Sequence, residues 1–202
     1  NKFIEKYKIN YIDFVSSHGH TIFHKPNEGY TLQIGDGQSI CNKTNLKVVC
    51  DYRTQDVALG GQGAPLVPIG DKLLFSNFKY CLNLGGFANI SYEENIERIA
   101  FDICPINIVL NHYVKNLGLP YDSEGQIASK GAICFLLLDD LNALDFYASP
   151  PPKSLGLEWV KEHIFPLIDS YDLEVDQILR TVVEHCAFQI TNLLRANNLT
   201  NG

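Results

Sequence analysis

Methionine is absent from the 202 residues, and no uninterrupted apolar run exceeds the seven residues Ala132–Leu138. A helix crossing a bilayer needs about 20 apolar residues, so no membrane span and no membrane partner is expected. Basic residues are also scarce, 16 against 23 acidic ones for a net charge of -7, and that balance argues against a partner with a phosphate backbone: no nucleic acid. No two of the cysteines Cys41, Cys50, Cys81, Cys104, Cys134 and Cys186 have Cys-x-x-Cys spacing, which points to reduced, buried thiols in a cytoplasmic protein and to no metal site. Gly-x-x-x-x-Gly-Lys-Ser/Thr and Gly-x-Gly-x-x-Gly are missing too, removing the P-loop and the dinucleotide fold. The start, Asn1 to Tyr7, carries charges and no apolar stretch ahead of a small-residue cleavage site, so it does not have the pattern of a signal peptide. Because it opens in a helix-to-strand passage and lacks methionine, the chain is expected to be a piece of a longer protein.

What is present suits a packed domain: 46% hydrophobic and 19% charged residues separate it from disordered chains. β-branched and aromatic residues from Ile9 to Ser16 predict a buried strand, followed by strands at Thr31–Ile34 and Leu46–Cys50. Tyr80–Leu84, Ala88–Tyr92 and Arg98–Ile103, joined by short links, predict an antiparallel meander. Helical spacing follows at Ile106 to Leu117, stopping at Gly118, then around Gln126–Leu144, and most clearly from Leu173 to Ala196. Strands first and helices later predict an α/β or α+β architecture, with a lobe boundary near Ser76 to Lys79, so that 1–78 and 79–202 form separate lobes.

Four segments have the residue types for chemistry. Asp51 to Leu66 places Arg53 and Asp56 ahead of Gly60, Gly61, Gln62 and Gly63; bare backbone approaches a ligand closely, and a carboxylate beside it can take a proton from water or hydroxyl. A turn in which the aspartates cap a helix reads equally well. In the run that opens Ser17-His18-Gly19, the imidazoles of His18, His20 and His24 suit backbone or ligand hydrogen bonds better than a metal, because no Cys-x-x-Cys or His-Glu-x-x-His partner accompanies them. Gly85 and Gly86, with Asn83 before and Asn89 after, form a hairpin that by itself is weak evidence for phosphate binding. Asp102, at the end of a strand, could serve a metal-phosphate group, or it and Asn107 could be caps. Lys153, in Pro152-Lys153-Ser154, reads by default as a solvated side chain.

Taken in order, Ser17-His18-Gly19, Leu32 to Gly37, Asp51 with Arg53 and Asp56 to Leu66, Asn83 to Ile90, Phe101-Asp102, Tyr121-Asp122 with Gly125, and Pro152-Lys153-Ser154 resemble the anhydro-N-acetylmuramic acid kinases of bacterial cell-wall recycling. The resemblance implies a fold of the actin, Hsp70 and hexokinase type, with ribonuclease-H-like sheets and flanking helices in two lobes. It implies ATP and Mg2+ as cofactors and a small sugar as partner, and a homodimer is compatible with it. The implied reaction hydrolyses the 1,6-anhydro ring and phosphorylates O6. Asp56 would be the catalytic base. Ser17, His18, Gly19, Arg53, Gly60, Gly61 and Gln62 would serve the sugar, and Gly85, Gly86, Asn89 and Asp102 the nucleotide.

The chain also departs from that family. Its opening Met-Ser-Gly-Thr-Ser-x-Asp-Gly loop and closing Gly-Gly-Gly-Ala loop are missing, His20 replaces a glutamine, and Cys104 and Ile106 stand for the two glycines of Thr-Gly-Pro-Gly-Asn. The 202 residues alone are therefore expected to bind sugar without turning over ATP. A diverged, non-catalytic sugar-binding or regulatory relative is the alternative, and a metal-dependent hydrolase using His18, His20 and His24 is a third reading.

Overall fold

The computed structural model describes residues 2–63, 66–95, 97–197 and 199, with Asn27 through its backbone alone. The chain divides into two compact units, Asn1–Leu66 and Val67–Gly202. The first runs α1 (Lys2–Lys6), β1 (Val15–Ser17), β2 (His20–Lys25), β3 (Tyr30–Ile34), α2 (Gly37–Thr44), β4 (Val48–Cys50) and α3 (Thr54–Ala58). β1 and β4 pair in parallel, with Ser17 opposite Cys50, and β2 and β3 form an antiparallel hairpin with an irregularity between Thr21 and Phe23. A parallel pair needs a long crossover, here supplied by that hairpin and α2. α2 starts where the Asp36 carboxylate accepts from Ser39 N at 2.7 Å and stops at Asn45, whose φ of 57° is left-handed.

The strand expected from Ile9 forms only from Val15, where the backbone N–H meets Lys47 O at 2.8 Å. Tyr11 and Phe14 precede it and are 78% and 53% exposed. Composition favours a strand, but a strand also needs a partner for its ladder. The thiols depart from expectation as well: all six are free, yet only Cys104 and Cys186 are buried and Cys50 is exposed.

The second unit runs α4 (Val67–Leu74), β5 (Tyr80–Leu84), β6 (Phe87–Glu94), β7 (Glu97–Pro105), α5 (Asn107–Val114), α6 (Phe135–Asn142), α7 (Asp145–Ala148), α8 (Leu157–Trp159), α9 (Phe165–Asp169) and α10 (Val175–Ala196). The meander is antiparallel in the order β5-β6-β7. Alternation directs Ala88, Ile90, Phe101 and Ile103 into the core and leaves Asn89 and Asp102, which are cross-strand partners, on the opposite face. α4 is tied to the sheet where Arg98 donates to Ser91 Oγ at 2.8 Å and Ser91 Oγ donates to the Asp71 carboxylate.

The core side of the sheet is covered by α10, which also packs on α5 and α6. Its apolar stripe buries Ile178, Leu179, Val182 and Cys186, each large side chain contributing about 1.5–3 kcal/mol. Glu174 and Gln177 form a reciprocal capping box at its start. The single helix expected over Gln126–Leu144 is instead a turn of 3-10 helix at Ala128–Lys130 and the separate α6. Gly131 divides them: a Cβ there would collide with Asp176 O at the head of α10, so glycine permits that approach.

Candidate functional site

Parallel pairing brings two of the predicted segments together. β1 and β4 end level with each other, Ser17 beside Cys50, so the loops that follow, Ser17-His18-Gly19 and Asp51-Tyr52-Arg53, leave the same edge; ligand sites favour this carboxyl end of parallel strands. Gly19 takes a φ of 73°, and a Cβ there would strike Ile34 O at the end of β3. Only glycine allows so close a crossing. Asp51, with a φ of 59°, turns the chain from β4 into α3 and accepts from Thr54 Oγ1 at 2.5 Å.

A hydrogen-bonded chain then joins the sugar-site candidates. Arg53 Nε donates to His18 Nε2 at 3.0 Å, and Arg53 Nη1 donates to Gly63 O at 2.7 Å. Gly63 N donates in turn to Asp56 Oδ2 at 2.6 Å. Since His18 Nε2 accepts, the neutral ring carries its proton on Nδ1, which lies 3.1 Å from Gly19 O. Partial burial holds the Arg53 guanidinium below its ordinary pKa. Asp56 is exposed, and among the described residues no donor reaches its Oδ1. The arrangement fixes one carboxylate oxygen and leaves the other for a ligand.

Gly61 contributes by lacking a side chain, since a Cβ would overlap the Asp56 carboxyl group. Gly61→Ala is expected to rotate that carboxylate and, in a longer protein that carries this sequence and has catalytic activity, to lower kcat at least tenfold without unfolding the chain. Wild-type activity in this variant, measured beside an unchanged thermal melt, would refute the placement. Gly60 adopts a φ of 89° and Gln62 is exposed. The loop positions Ala64 and Pro65 lie outside the described residues. Ser17, half-buried, ends β1 beside the chain of bonds.

The three histidines do not converge as a hydrolase metal site would require. Both His18 nitrogens are engaged, and His24 Nδ1 is hydrogen-bonded with Thr31 Oγ1 at 3.0 Å. Burial, and then the Arg53 charge, lower the His24 pKa. His20 lies at the start of β2, ahead of the irregularity that separates it from His24.

In the second unit, Asp102 Oδ2 accepts from Leu155 N at 2.8 Å, while Asp102 N donates to Lys153 O at 3.1 Å. Burial raises the Asp102 pKa against the opposing effect of the Leu155 N–H. Asn89 is its neighbour across β6. Gly85 and Gly86 turn their carbonyls to the head of α5: Gly86 O accepts from Ile106 N at 2.8 Å and Gly85 O from Asn107 Nδ2 at 2.8 Å. Gly85 N is itself bonded to Phe87 O at 3.2 Å. The N–H groups that commonly hold phosphate at a helix start are thus paired here.

Cys104 and Ile106 stand at positions where no left-handed φ calls for glycine. Neither has a positive φ, Cys104 is wholly buried in the core, and Ile106 opens α5 at a φ of -121°. Sequence reading missed the parts of Gly63 and Leu155, which act through backbone groups that any residue carries. Only the glycine-rich run signalled the first of them.

Residues 1–201 match the family model for anhydro-N-acetylmuramic acid kinase. A protein of that name from Pseudomonas syringae is 37% identical, across 90% of this chain and 52% of its own length. The Haemophilus influenzae protein of the same name is 35% identical, across 96% of this chain and 56% of its own length. The Zymomonas mobilis protein is 44% identical, across 71% and 41% respectively. This chain spans about half the length of the curated relatives it matches.

Proposed function

The chain belongs to the anhydro-N-acetylmuramic acid kinase family, and we propose that it forms part of an ATP-dependent kinase that opens the 1,6-anhydro ring of that sugar and phosphorylates O6. In this reading the two compact units, Asn1–Leu66 and Val67–Gly202, belong to the two lobes of an actin, Hsp70 and hexokinase type of fold. The observation that carries it is the chain of bonds from His18 through Arg53 and Gly63 to Asp56. That chain holds a carboxylate at a glycine-rich loop with Oδ1 open, the arrangement a general base for water needs.

Asp56 Oδ1 takes a proton from water as the water oxygen bonds to the anomeric carbon, and the C1–O6 bond breaks with its electron pair going to O6, which would take up the γ-phosphoryl group as ADP leaves. Gly63 N–H keeps the carboxylate aimed, and Arg53 keeps the Gly63 peptide in place. Magnesium-ATP supplies the transferable phosphoryl group when bound. A single carboxylate suits magnesium, which keeps several waters and substrate phosphates as its other ligands. Asp102, partly buried and bonded through Oδ2 alone among the described residues, fits that part, with Asn89 beside it. Gly86 N–H, which has no backbone partner among the described residues, is offered to phosphate, whereas Gly85 N–H is already bonded to Phe87 O.

The test uses a protein with this sequence extended to the relatives' full length, given the anhydro sugar and labelled ATP in water enriched in oxygen-18. Phosphoryl label on O6 with oxygen-18 at the C1 hydroxyl is expected. Phosphorylation without oxygen-18 at C1, or no sugar phosphate at all, overturns the reading.

A further inference from the structure

We infer that Lys153 is a positioning residue that holds a backbone strap across Asp102 and so sets which carboxylate oxygen faces the nucleotide. The strap is Lys153 to Leu155. Lys153 O receives the Asp102 N–H at 3.1 Å, and Leu155 N donates to Asp102 Oδ2 at 2.8 Å. One short segment thereby fixes both the backbone and the side chain of Asp102, leaving Oδ1 as the oxygen with no hydrogen bond among the described residues.

Such a strap needs an anchor, because it follows Pro150-Pro151-Pro152 and belongs to no helix or strand. Lys153 provides one. Its Nζ donates to Phe146 O at 3.0 Å and to Tyr147 O at 3.5 Å, and it sits 4.6 Å from the centre of the Phe146 ring. These carbonyls belong to α7, at the end of a helix where a lysine ammonium group can hydrogen-bond the last carbonyls. α7 is itself held by its aromatic residues: Phe146 packs on Trp159 at 5.3 Å, and the Tyr147 hydroxyl meets buried His185 at 2.8 Å. The anchor is therefore rigid. Burial also lowers the Lys153 pKa, in keeping with a side chain turned inward rather than into solvent.

This inference rests on the reading of Asp102 as a nucleotide-side residue, but its geometry can be tested apart from that reading. Amide hydrogen exchange at Leu155 and Asp102 in the 202-residue chain reports the strap directly. Lys153→Met should accelerate exchange at both amides at least tenfold while leaving Ile90 in β6 protected. Lys153→Arg, which still donates to the α7 carbonyls, should restore protection to within about threefold. Unchanged exchange in Lys153→Met, or acceleration that arginine does not rescue, overturns the proposal. Magnesium-ADP affinity, measured on the protein at the relatives' full length, should fall about tenfold in Lys153→Met and recover in Lys153→Arg. If the exchange results hold but the parent protein binds no magnesium-ADP, the strap stands and the nucleotide reading of Asp102 fails.

Discussion

Asp56→Asn, in a protein of the relatives' full length, is expected to lower kcat by about 10²–10⁴-fold with KM little changed, the range for losing a positioned general base. The asparagine side chain has nearly the same shape, and its carbonyl oxygen can still accept the Gly63 N–H that now reaches Asp56 Oδ2 at 2.6 Å. What disappears is the second oxygen, replaced by an NH2 group that donates and cannot take a proton from water. The chain of bonds to Arg53 and His18 should survive, so the thermal melt should stay within a few degrees of wild type. Steady-state kinetics decide the matter: a variant keeping more than a tenth of wild-type kcat would remove Asp56 from the role of base.

The second large effect concerns acid stability and centres on His185. This histidine is 2% exposed, with Nδ1 donating to Asn142 Oδ1 at 2.7 Å and Nε2 accepting from the Tyr147 hydroxyl at 2.8 Å. Gln189 Nε2 also donates to Asn142 Oδ1, at 2.9 Å, which fixes that oxygen as an acceptor and the histidine tautomer with it. A second proton on the ring would put a charge in this buried site and oblige the Tyr147 hydroxyl to turn from donor to acceptor. Desolvation accordingly lowers the His185 pKa from 6.5 to about 4.

Between those two values the unfolded chain binds a proton that the folded chain refuses, so stability rises with pH across that window. The contribution is complete above pH 6.5 and is lost as the pH falls toward about 4; at 1.36 kcal/mol per pH unit it amounts to about 3 kcal/mol. Raised Asp102 acts in the other sense, favouring the folded state once its carboxyl is protonated, and so offsets part of the loss at the acid end. Urea unfolding at pH 7.5, 6 and 4.5 should show the decline in the wild type. His185→Gln, less stable throughout, should show a flatter dependence, and equal slopes in the two proteins would contradict the assignment.

How far the sequence could be read depended on whether each signal was local. The meander was legible because three runs of β-branched and aromatic residues were joined by links too short for anything but antiparallel pairing. α10 was legible because its apolar stripe repeats over 22 residues. α2 and α3, of eight and five residues, were not, since so few turns cannot display a period and their start depends on capping by Asp36 or on the turn at Asp51. Lys153 was read as solvated because a lysine on its own carries no sign of what lies beneath it; the α7 carbonyls that hold it come from residues six and seven positions away.

By itself the sequence determined the family, the antiparallel meander with α5 and α10 in the second unit, and the short set of residues able to do chemistry. Those properties follow from residue type and spacing along the chain. Tertiary structure alone decided which of them act together: parallel pairing of β1 with β4 set His18 beside Arg53, and the fold of the loop after α3 brought the Gly63 N–H to Asp56. It also laid the Lys153 strap across Asp102. The reason is physical: a hydrogen bond made by a backbone N–H or C=O depends on where the chain passes and leaves no mark in the identity of the residue that makes it.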